Sequence, residues 1–218
     1  MDLPAVWEWV IDEAWASYAA GGWGVGAVAM RTDGTVLAAA GNRSRGLPDD
    51  VFAHAELLTL AKLPVIARSG CVIVTSLEPC VLCLGALAYL RVPSVRFGAR
   101  DLSFSAARQA LAKAPILRSR VPAYAGPRLD AIGLLCRLIP LVAQLETGLG
   151  SGPLGLERYV TPRLLAYAQE AVQTGLLHTH RDKPRGWAVP LRDIEENGRR
   201  LTDEIIAAEA RLHRLGLS

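Results

Sequence analysis

The sequence has few cysteines, no basic leader and no long apolar run. Only four cysteines occur in 218 residues, and two of them have the spacing of metal ligands, so they do not form the disulfide framework of a small secreted protein. The first residues, 1–4, include an acid and no basic segment, unlike a signal peptide. No uncharged apolar stretch reaches membrane-spanning length. We therefore expect a cytoplasmic protein with no membrane partner.

The chain has little excess of either charge, with 24 basic and 21 acidic residues. The net charge of +3 is too small by itself to imply binding to nucleic acid. Hydrophobic residues make up 51% of the chain and charged residues 21%, which is ordinary for a globular protein. The length suits one domain, or one domain with an extension.

Two short motifs hold the residues on which the functional hypothesis depends. Phe52-Ala53-His54-Ala55-Glu56 and Glu78-Pro79-Cys80-Val81-Leu82-Cys83 together supply one imidazole, two thiols and one carboxylate two residues after the histidine. The imidazole and the two thiols suit Zn²⁺ as ligands. A site with three protein ligands leaves one position open for water, which zinc ionises near neutral pH. Glu56 is then free to move protons.

The two motifs also allow interpretations other than a catalytic metal site. A lone C-x-x-C can be a redox pair or half of a structural zinc site, but a structural site would need a fourth ligand nearby. Cys71 and Cys136 lie in apolar runs and fit small buried side chains. The remaining histidines, His178, His180 and His213, lie far downstream. The joint pattern favours catalytic zinc, with a structural or vestigial site as the alternative.

The rest of the pattern alternates helices and strands, which is typical of an α/β sandwich. We predict helices over 4–20, 54–67, 105–113 and 129–145, a helix starting at 78–79, strands over 24–30, 35–40, 71–76 and 92–98, and a loop or last strand at 121–126. Each half of the metal motif then lies where a helix begins. Cys80 and Cys83 are three residues apart and would share one helical face.

One strand end is bare of side chains, because Gly24 and Gly26 flank Val25. Bare backbone lets a ligand approach closely, so Val25 and Gly26 are candidate substrate contacts. A simple bend in the strand explains the glycines equally well.

The C-terminal third is predicted to be helical. Gly148-Leu149-Gly150-Ser151-Gly152-Pro153 is the best linker candidate, and it would separate a domain over 1–147 from a helical extension over 154–218. We expect this extension to pack on the first domain, because its last helix, near 190–215, carries an apolar stripe. The stripe comprises Ile194, Leu201, Ile205, Ala208, Leu212 and Leu215.

These motifs resemble the cytidine-deaminase-like superfamily of zinc deaminases, whose signature is H-x-E followed by P-C-x-x-C. The resemblance covers roughly residues 5–105 and is closest to the branch of tRNA adenosine deaminases and bacterial guanine deaminases. It rests on the two metal motifs and on the stretches 25–28, 41–43 and 97–101. The resemblance implies a three-layer α/β/α sandwich with a mixed sheet of about five strands, and a homodimer.

The resemblance also implies roles for individual residues. His54, Cys80 and Cys83 match the zinc ligands, and Glu56 matches the proton shuttle of a hydrolytic deaminase, which replaces an exocyclic amine by a carbonyl and releases ammonia. The residues that match or lie near the substrate-binding positions are Asn42, Ala55 through its backbone N–H, Ser76, Glu78 and Asp101.

The substrate class is inferred from charge. The tRNA enzymes tend to end in a basic helix, whereas acids alternate with arginines over 154–218, and phosphate binding needs clustered cations. We therefore expect a small aminated base or nucleoside as substrate, with nucleic acid as the less favoured ligand. One alternative is a tRNA-specific adenosine (A-to-I) deaminase. The other is a non-catalytic zinc-binding module, although the presence of Glu56 argues against it.

Overall fold

The computed structural model of the chain describes residues 5–44, 51–148 and 151–216, with the backbone alone at 151–153. The helices are α1 (Ala5–Ala19), α2 (Ala55–Ala61), α3 (Val65–Arg68), α4 (Val81–Tyr89), α5 (Ala107–Ala112), α6 (Pro115–Arg118), α7 (Ala131–Thr147), α8 (Ser151–Val160), α9 (Pro162–Thr174), α10 (Ala188–Asn197) and α11 (Arg199–Arg214). The strands are β1 (Gly26–Met30), β2 (Val36–Gly41), β3 (Val72–Leu77), β4 (Ser94–Ala99) and β5 (Ala123–Ala125). Among these helices, none has the length and apolar character needed to cross a bilayer.

The five strands form one mixed sheet in the order β2-β1-β3-β4-β5. Strand β1 runs antiparallel to β2 and β3, whereas β3, β4 and β5 are parallel to one another. Helices cover both faces, so the predicted α/β/α sandwich with about five strands is confirmed. The carboxyl ends of β3 and β4 meet at one edge, which is where open α/β sheets bind ligands.

Both faces of the sheet are buried, which explains the continuous apolar runs of its central strands. Val72 and Val74 of β3 pack in the cluster that contains α1 and α7. Ile73, between them, points to the opposite cluster with Leu60 of α2 and Leu87 of α4. Alternate residues of one strand therefore hold the two helical layers to the sheet.

Several predicted helices have different bounds in the structure. The helix predicted over 54–67 is interrupted, because Pro64 disfavours a helical conformation at the preceding residue, and a second helix starts at Val65. Helix α4 begins at Val81, with Cys80 as its N-cap and Pro79 outside the helix. Pro140 lies inside α7 and does not end it, whereas the long helix predicted over 190–215 is divided at Gly198.

The predicted linker is wrong from Ser151 onwards. Gly148 ends α7 in the left-handed conformation, with φ 65°, and helix α8 already begins at Ser151. The sequence also predicts a polar loop over 41–50, between the second strand and the first metal motif. Residues 149–150 of the linker and residues 45–50 of this loop lie outside the described residues.

Helices α9 and α10 pack against α7, and their apolar residues join the cluster under the sheet. Trp187 is buried, and its Nε1 donates a hydrogen bond to Asp12 Oδ1 of α1 at 2.6 Å. Glu204 of α11 accepts hydrogen bonds from the backbone N–H groups of Arg163 and Leu164 at 3.0 and 2.9 Å, which satisfies the free donors at the start of α9. These contacts join the C-terminal helices to the sheet-forming part of the chain.

The predicted stripe is buried in part. Ile194, Leu201, Ala208 and Leu212 are buried. Leu215, which the seven-residue spacing placed in the same stripe, is 71% exposed, because α11 ends at Arg214.

We expect a chain that ends at Leu149 to be insoluble or strongly destabilised. The truncation removes α8–α11 and uncovers the apolar side of α7, and each large side chain that loses its cover costs roughly 1.5–3 kcal/mol. Solubility and thermal unfolding of this chain should be compared with a control that ends at Leu215. A soluble truncated core that binds zinc would contradict the expectation.

Candidate metal and active site

Three predicted ligands lie together at the carboxyl-end edge of the sheet. His54 Nδ1 lies 3.5 Å from Cys80 Sγ and 3.4 Å from Cys83 Sγ, and the three ligand atoms all lie within 4.8 Å of one another. Tetrahedral zinc with bonds of 2.0–2.3 Å places its donor atoms roughly 3.6 Å apart. The donor set and its spacing therefore fit zinc.

The local structure explains why these side chains converge. His54 is the N-cap of α2, with extended backbone angles φ −72° and ψ 146°. Cys80 is the N-cap of α4, and its Sγ accepts a hydrogen bond from the Cys83 N–H at 3.5 Å. Two helix N-termini therefore point at one place, and their dipoles favour the thiolate forms of the ligands.

The protonation states within this cluster suit a cation site. A hydrogen bond from Cys83 lowers the pKa of Cys80 to about 4, with a second contribution from His54, although burial opposes the shift. The pKa of Cys83 is raised by its hydrogen bond to Cys80 and by burial. The pKa of His54 is raised, chiefly by its hydrogen bond to Cys80. Negative charge is therefore held at a sulfur that can coordinate a metal.

Glu56 lies in the first turn of α2 beside the ligands. It is 4% exposed, and its Oε2 accepts a hydrogen bond from Cys83 Sγ at 3.4 Å while Oε1 accepts one from Thr75 Oγ1 at 3.5 Å. Burial raises the pKa of this carboxyl. A buried carboxyl with a raised pKa holds a proton more readily than an exposed one, which suits a group that transfers protons.

A cavity of ≈ 280 Å³ opens over His54 and Glu56. Four of the predicted substrate-binding residues line it: Val25, Asn42, Glu78 and Asp101. Asn42 is buried, and its Oδ1 accepts hydrogen bonds from the N–H and the hydroxyl of Ser44 at 2.9 and 3.0 Å. The Asn42 amide is thus held in a fixed orientation at the cavity wall.

Three further predicted contacts lie elsewhere. Ala55, Gly26 and Ser76 are buried, and none of them lines this cavity in the described part of the chain. Ser76 Oγ accepts a hydrogen bond from the Gly26 N–H at 3.0 Å. A Cβ at Gly26 would lie 2.3 Å from the Val10 carbonyl oxygen of α1. Close packing of α1 therefore accounts for this glycine, and the ligand-approach interpretation has no support at Gly26.

Glu78 belongs to a buried ion-pair network at the rim of the cavity. Its Oε1 lies 3.0 Å from Arg100 Nη1, and Arg100 Nη2 lies 2.8 Å from Glu209 Oε2 of α11. Burial raises the pKa of Glu78 to about 7, against the opposing effect of Arg100. The network ties the second metal motif to the last helix of the chain.

Sequence reasoning missed several residues of the cavity wall. Trp23 and Phe104 lie in loops, while Arg137, Pro140 and Gln144 come from α7. The one signal for the α7 residues was the presence of Arg137 and Gln144 inside a long apolar run. That run alone did not indicate which of its faces would meet the metal motifs.

The sheet order and the ligands at two helix starts are consistent with a cytidine-deaminase-like α/β fold. Residues 4–99 match the family of the cytidine and deoxycytidylate deaminase zinc-binding region. The matched region carries the zinc-binding motif that the sequence predicted, and His54, Cys80 and Cys83 are positioned to bind the metal.

Curated relatives share this region. The chain is 37% identical over 81 residues to a tRNA-specific adenosine deaminase of Agrobacterium fabrum, covering 35% of this chain and 52% of that protein. It is 34% identical over 80 residues to a cytosine deaminase of Candida albicans, covering 35% of this chain and 53% of that one. A tRNA(Ile)-lysidine synthase of Deinococcus deserti is 39% identical over 81 residues, which are 35% of this chain and 15% of the synthase. The chain thus spans about half of the two deaminases and a small part of the synthase.

Two solved structures are also similar. A structure from a study of A-to-I editing by tRNA:A34 deaminases has 28% identity and a TM-score of 0.47, covering 56% of this chain and 95% of that one. A guanine deaminase from Nitrosomonas europaea has 27% identity and a TM-score of 0.47, covering 64% and 86%.

Proposed function

We propose that the protein is a zinc-dependent hydrolase that converts the exocyclic amine of a small purine- or pyrimidine-like base or nucleoside to a carbonyl and releases ammonia. The observation that carries this proposal is the buried carboxyl of Glu56, which contacts a metal ligand and faces the cavity. A structural zinc site has no use for that carboxyl. The free thiols of the described chain fit a reducing compartment such as the cytoplasm.

In the proposed reaction water would be activated at the metal, and Glu56 would transfer protons. His54, Cys80 and Cys83 would hold zinc, which when bound supplies a Lewis acid that ionises water near neutral pH. Glu56 takes up the first proton of the attacking water on its buried carboxyl and delivers it to a ring nitrogen. It then takes up the second proton, from the hydroxyl group that has been added to the ring carbon, and delivers it to the leaving amine, so that ammonia departs as the carbonyl forms. Its raised pKa suits a group that must be protonated in one half of the cycle and ionised in the other.

The dimensions of the cavity support a small substrate. A volume of ≈ 280 Å³ lies just below the range of roughly 300–1,000 Å³ that ligand pockets occupy, which suits a ligand no larger than one heterocycle with or without a sugar. Because Asn42 Oδ1 already accepts two hydrogen bonds from Ser44, the Nδ2 group of Asn42 is the part of the amide that can donate to a substrate.

A second candidate function is deamination of adenosine in tRNA. It is favoured by the names of the relatives, since a tRNA-specific adenosine deaminase and tRNA(Ile)-lysidine synthases match the same region. Against it, acids alternate with arginines over α8–α11, and Arg100, which contacts the cavity residue Glu78, is paired with two carboxylates. Few cations are therefore left to hold a phosphate backbone.

We expect the zinc-loaded protein to release ammonia from at least one free base or nucleoside, and to elute from immobilised anticodon stem-loop RNA at moderate salt. The experiment measures ammonia from a panel of aminated bases, nucleosides and the same stem-loop. Ammonia from the RNA alone, with RNA retained at moderate salt, would replace the proposal with the second candidate. A protein that holds zinc and releases ammonia from none of them would be a zinc-binding module.

We also propose a homodimer that forms through α3 and α4. These helices expose large apolar side chains, among them Ile66 at 89% and Tyr89 at 73%, and exposed apolar patches mark interaction surfaces. We expect light scattering at micromolar concentration to give twice the chain mass, and Ile66→Glu to give the monomer. A monomeric parent would contradict this.

A further inference from the structure

We propose that Gln144 determines substrate specificity by accepting a hydrogen bond from an N–H group on the heterocycle. This inference rests on the proposed function and names a residue outside the family match over 4–99. Gln144 lies in the last turns of α7 and lines the same cavity as Glu56 and Asn42. The side chain comes from the layer on the opposite side of the sheet from the helices that carry the metal ligands, so it completes the wall of the site.

The side-chain carbonyl oxygen of Gln144 is buried without a hydrogen-bond partner among the described residues. The residue is 9% exposed, and its Oε1 has no hydrogen-bond partner in the part of the chain that the structure describes. Burying an unpaired carbonyl oxygen costs free energy, and such groups in native proteins call for an explanation. A leucine or methionine would fill this position on an apolar helix at lower cost if packing were its purpose.

Other polar groups of α7 contrast with Gln144, because each has a protein partner. Arg137 pairs with Glu157 of α8 in a buried ion pair. Asp130 caps the helix by accepting from the Gly133 N–H at 3.1 Å. Glu146 accepts a hydrogen bond from the Tyr18 hydroxyl at 3.0 Å. The unpaired amide oxygen of Gln144 is thus an exception among the described polar side chains of α7, and the cavity leaves room for a partner.

The two amides at the cavity wall specify a complementary ligand. Asn42 Oδ1 already accepts from Ser44, so Asn42 is left to donate through Nδ2, whereas Gln144 offers an acceptor at Oε1. A heterocycle that satisfies both carries a ring acceptor and an N–H donor on its edges, as a lactam or a second amino group provides. Sites that pair a substrate N–H discriminate strongly against analogues that lack it, because the buried site group is then left unpaired.

The test compares Gln144→Met with the parent on the best substrate of the panel and on its N-methyl analogue, which lacks the donor. Methionine keeps the length and volume and removes the acceptor. We expect Gln144→Met to raise KM at least tenfold for the substrate with kcat changed less than threefold, and to abolish the parent's preference over the analogue. Because an unpaired buried carbonyl is removed, Tm should stay the same or rise. Gln173→Met, at an exposed glutamine of α9, is the matched control and should leave KM unchanged.

The outcomes separate this inference from the proposed function. If the parent turns over its substrate and Gln144→Met has the parent's KM and preference, the inference is overturned while the deaminase remains. A lowered Tm with unchanged KM would assign Gln144 a structural role and overturn it as well. A zinc-loaded parent that releases no ammonia overturns the proposed function, and the specificity role with it. If Gln144→Met fails to fold, the test uses Gln144→Asn, which keeps the amide but shortens the side chain by one methylene. This variant should also raise KM. An unchanged KM would overturn the inference.

Discussion

The Glu56→Gln variant is expected to bind zinc and fold like the parent, and to release ammonia at least roughly 10²–10⁴-fold more slowly. The amide keeps the size and polarity of the side chain in its buried position but cannot take up and return a proton. Because the proposed cycle uses this carboxyl in more than one proton transfer, the loss should reach the upper end of that range or exceed it. The fall should appear in kcat, since the ligands of the metal are untouched.

The matched control for this variant is Glu195→Gln, which makes the same change at an exposed carboxylate of α10 and should leave turnover unchanged. Zinc content and Tm of both variants report whether the site is intact. Turnover by Glu56→Gln within a few-fold of the parent, at equal zinc content, would remove Glu56 from the proton-transfer role.

The Cys83→Ser variant is expected to lose the zinc that the parent holds at about one ion per chain, and to unfold at a lower temperature. The Cys83 side chain is fully buried and lies 3.4 Å from His54 Nδ1, so a hydroxyl at this position replaces one of three ligands by a poor one. Metal binding is coupled to folding, and a ligand present at 1,000 times its Kd stabilises the native state by about 4 kcal/mol. Loss of zinc should therefore remove stability of that order.

Cys71→Ala is the control for the loss of a buried thiol. Cys71 is as fully buried as Cys83, but its Sγ donates to the Arg68 carbonyl oxygen at 3.3 Å and takes no part in the metal cluster. We expect this variant to keep about one zinc per chain, as measured by metal analysis after dialysis. Full zinc occupancy in Cys83→Ser would mean that the ligands are assigned to the wrong residues.

The metal cluster could be predicted from the sequence because each half of it is local. His54 and Glu56 share one helix start, and Cys80 and Cys83 share another, so each motif carries its own geometry. The alternating strands and helices then required both starts to lie at one edge of the sheet. The one long-range contact still to be predicted was that between the two motifs. It could be inferred because one metal ion needs ligands from both.

The far wall of the cavity could not be predicted in the same way. Gln144 and Arg137 belong to an apolar helix whose direction across the sheet depends on packing with α1 and α9, and no local pattern encodes that direction. The close packing at Gly26 could not be predicted for a related reason, since it comes from the backbone of α1 and leaves no trace in the neighbouring sequence.

A helix boundary predicted from the sequence is also wrong where a single proline interrupts an apolar periodicity. The apolar periodicity over 54–67 favoured one helix, but Pro64 divides it, because a proline restricts the residue before it. Pro140, which we expected to kink or break the helix predicted over 129–145, does not end it: α7 continues through the proline, since the packing of the surrounding apolar residues on both sides outweighs one lost backbone hydrogen bond.

The central claim is that this site releases ammonia from a small aminated heterocycle in a zinc-dependent reaction. The most direct test strips the metal from the purified protein, returns zinc in steps, and measures ammonia from the panel of bases and nucleosides at each step. We predict that ammonia release from at least one member rises in proportion to bound zinc, reaches its maximum near one ion per chain, and is absent from Glu56→Gln at the same occupancy. A fully zinc-loaded parent that releases no ammonia from any member, or a rate that does not depend on bound zinc, would contradict the account.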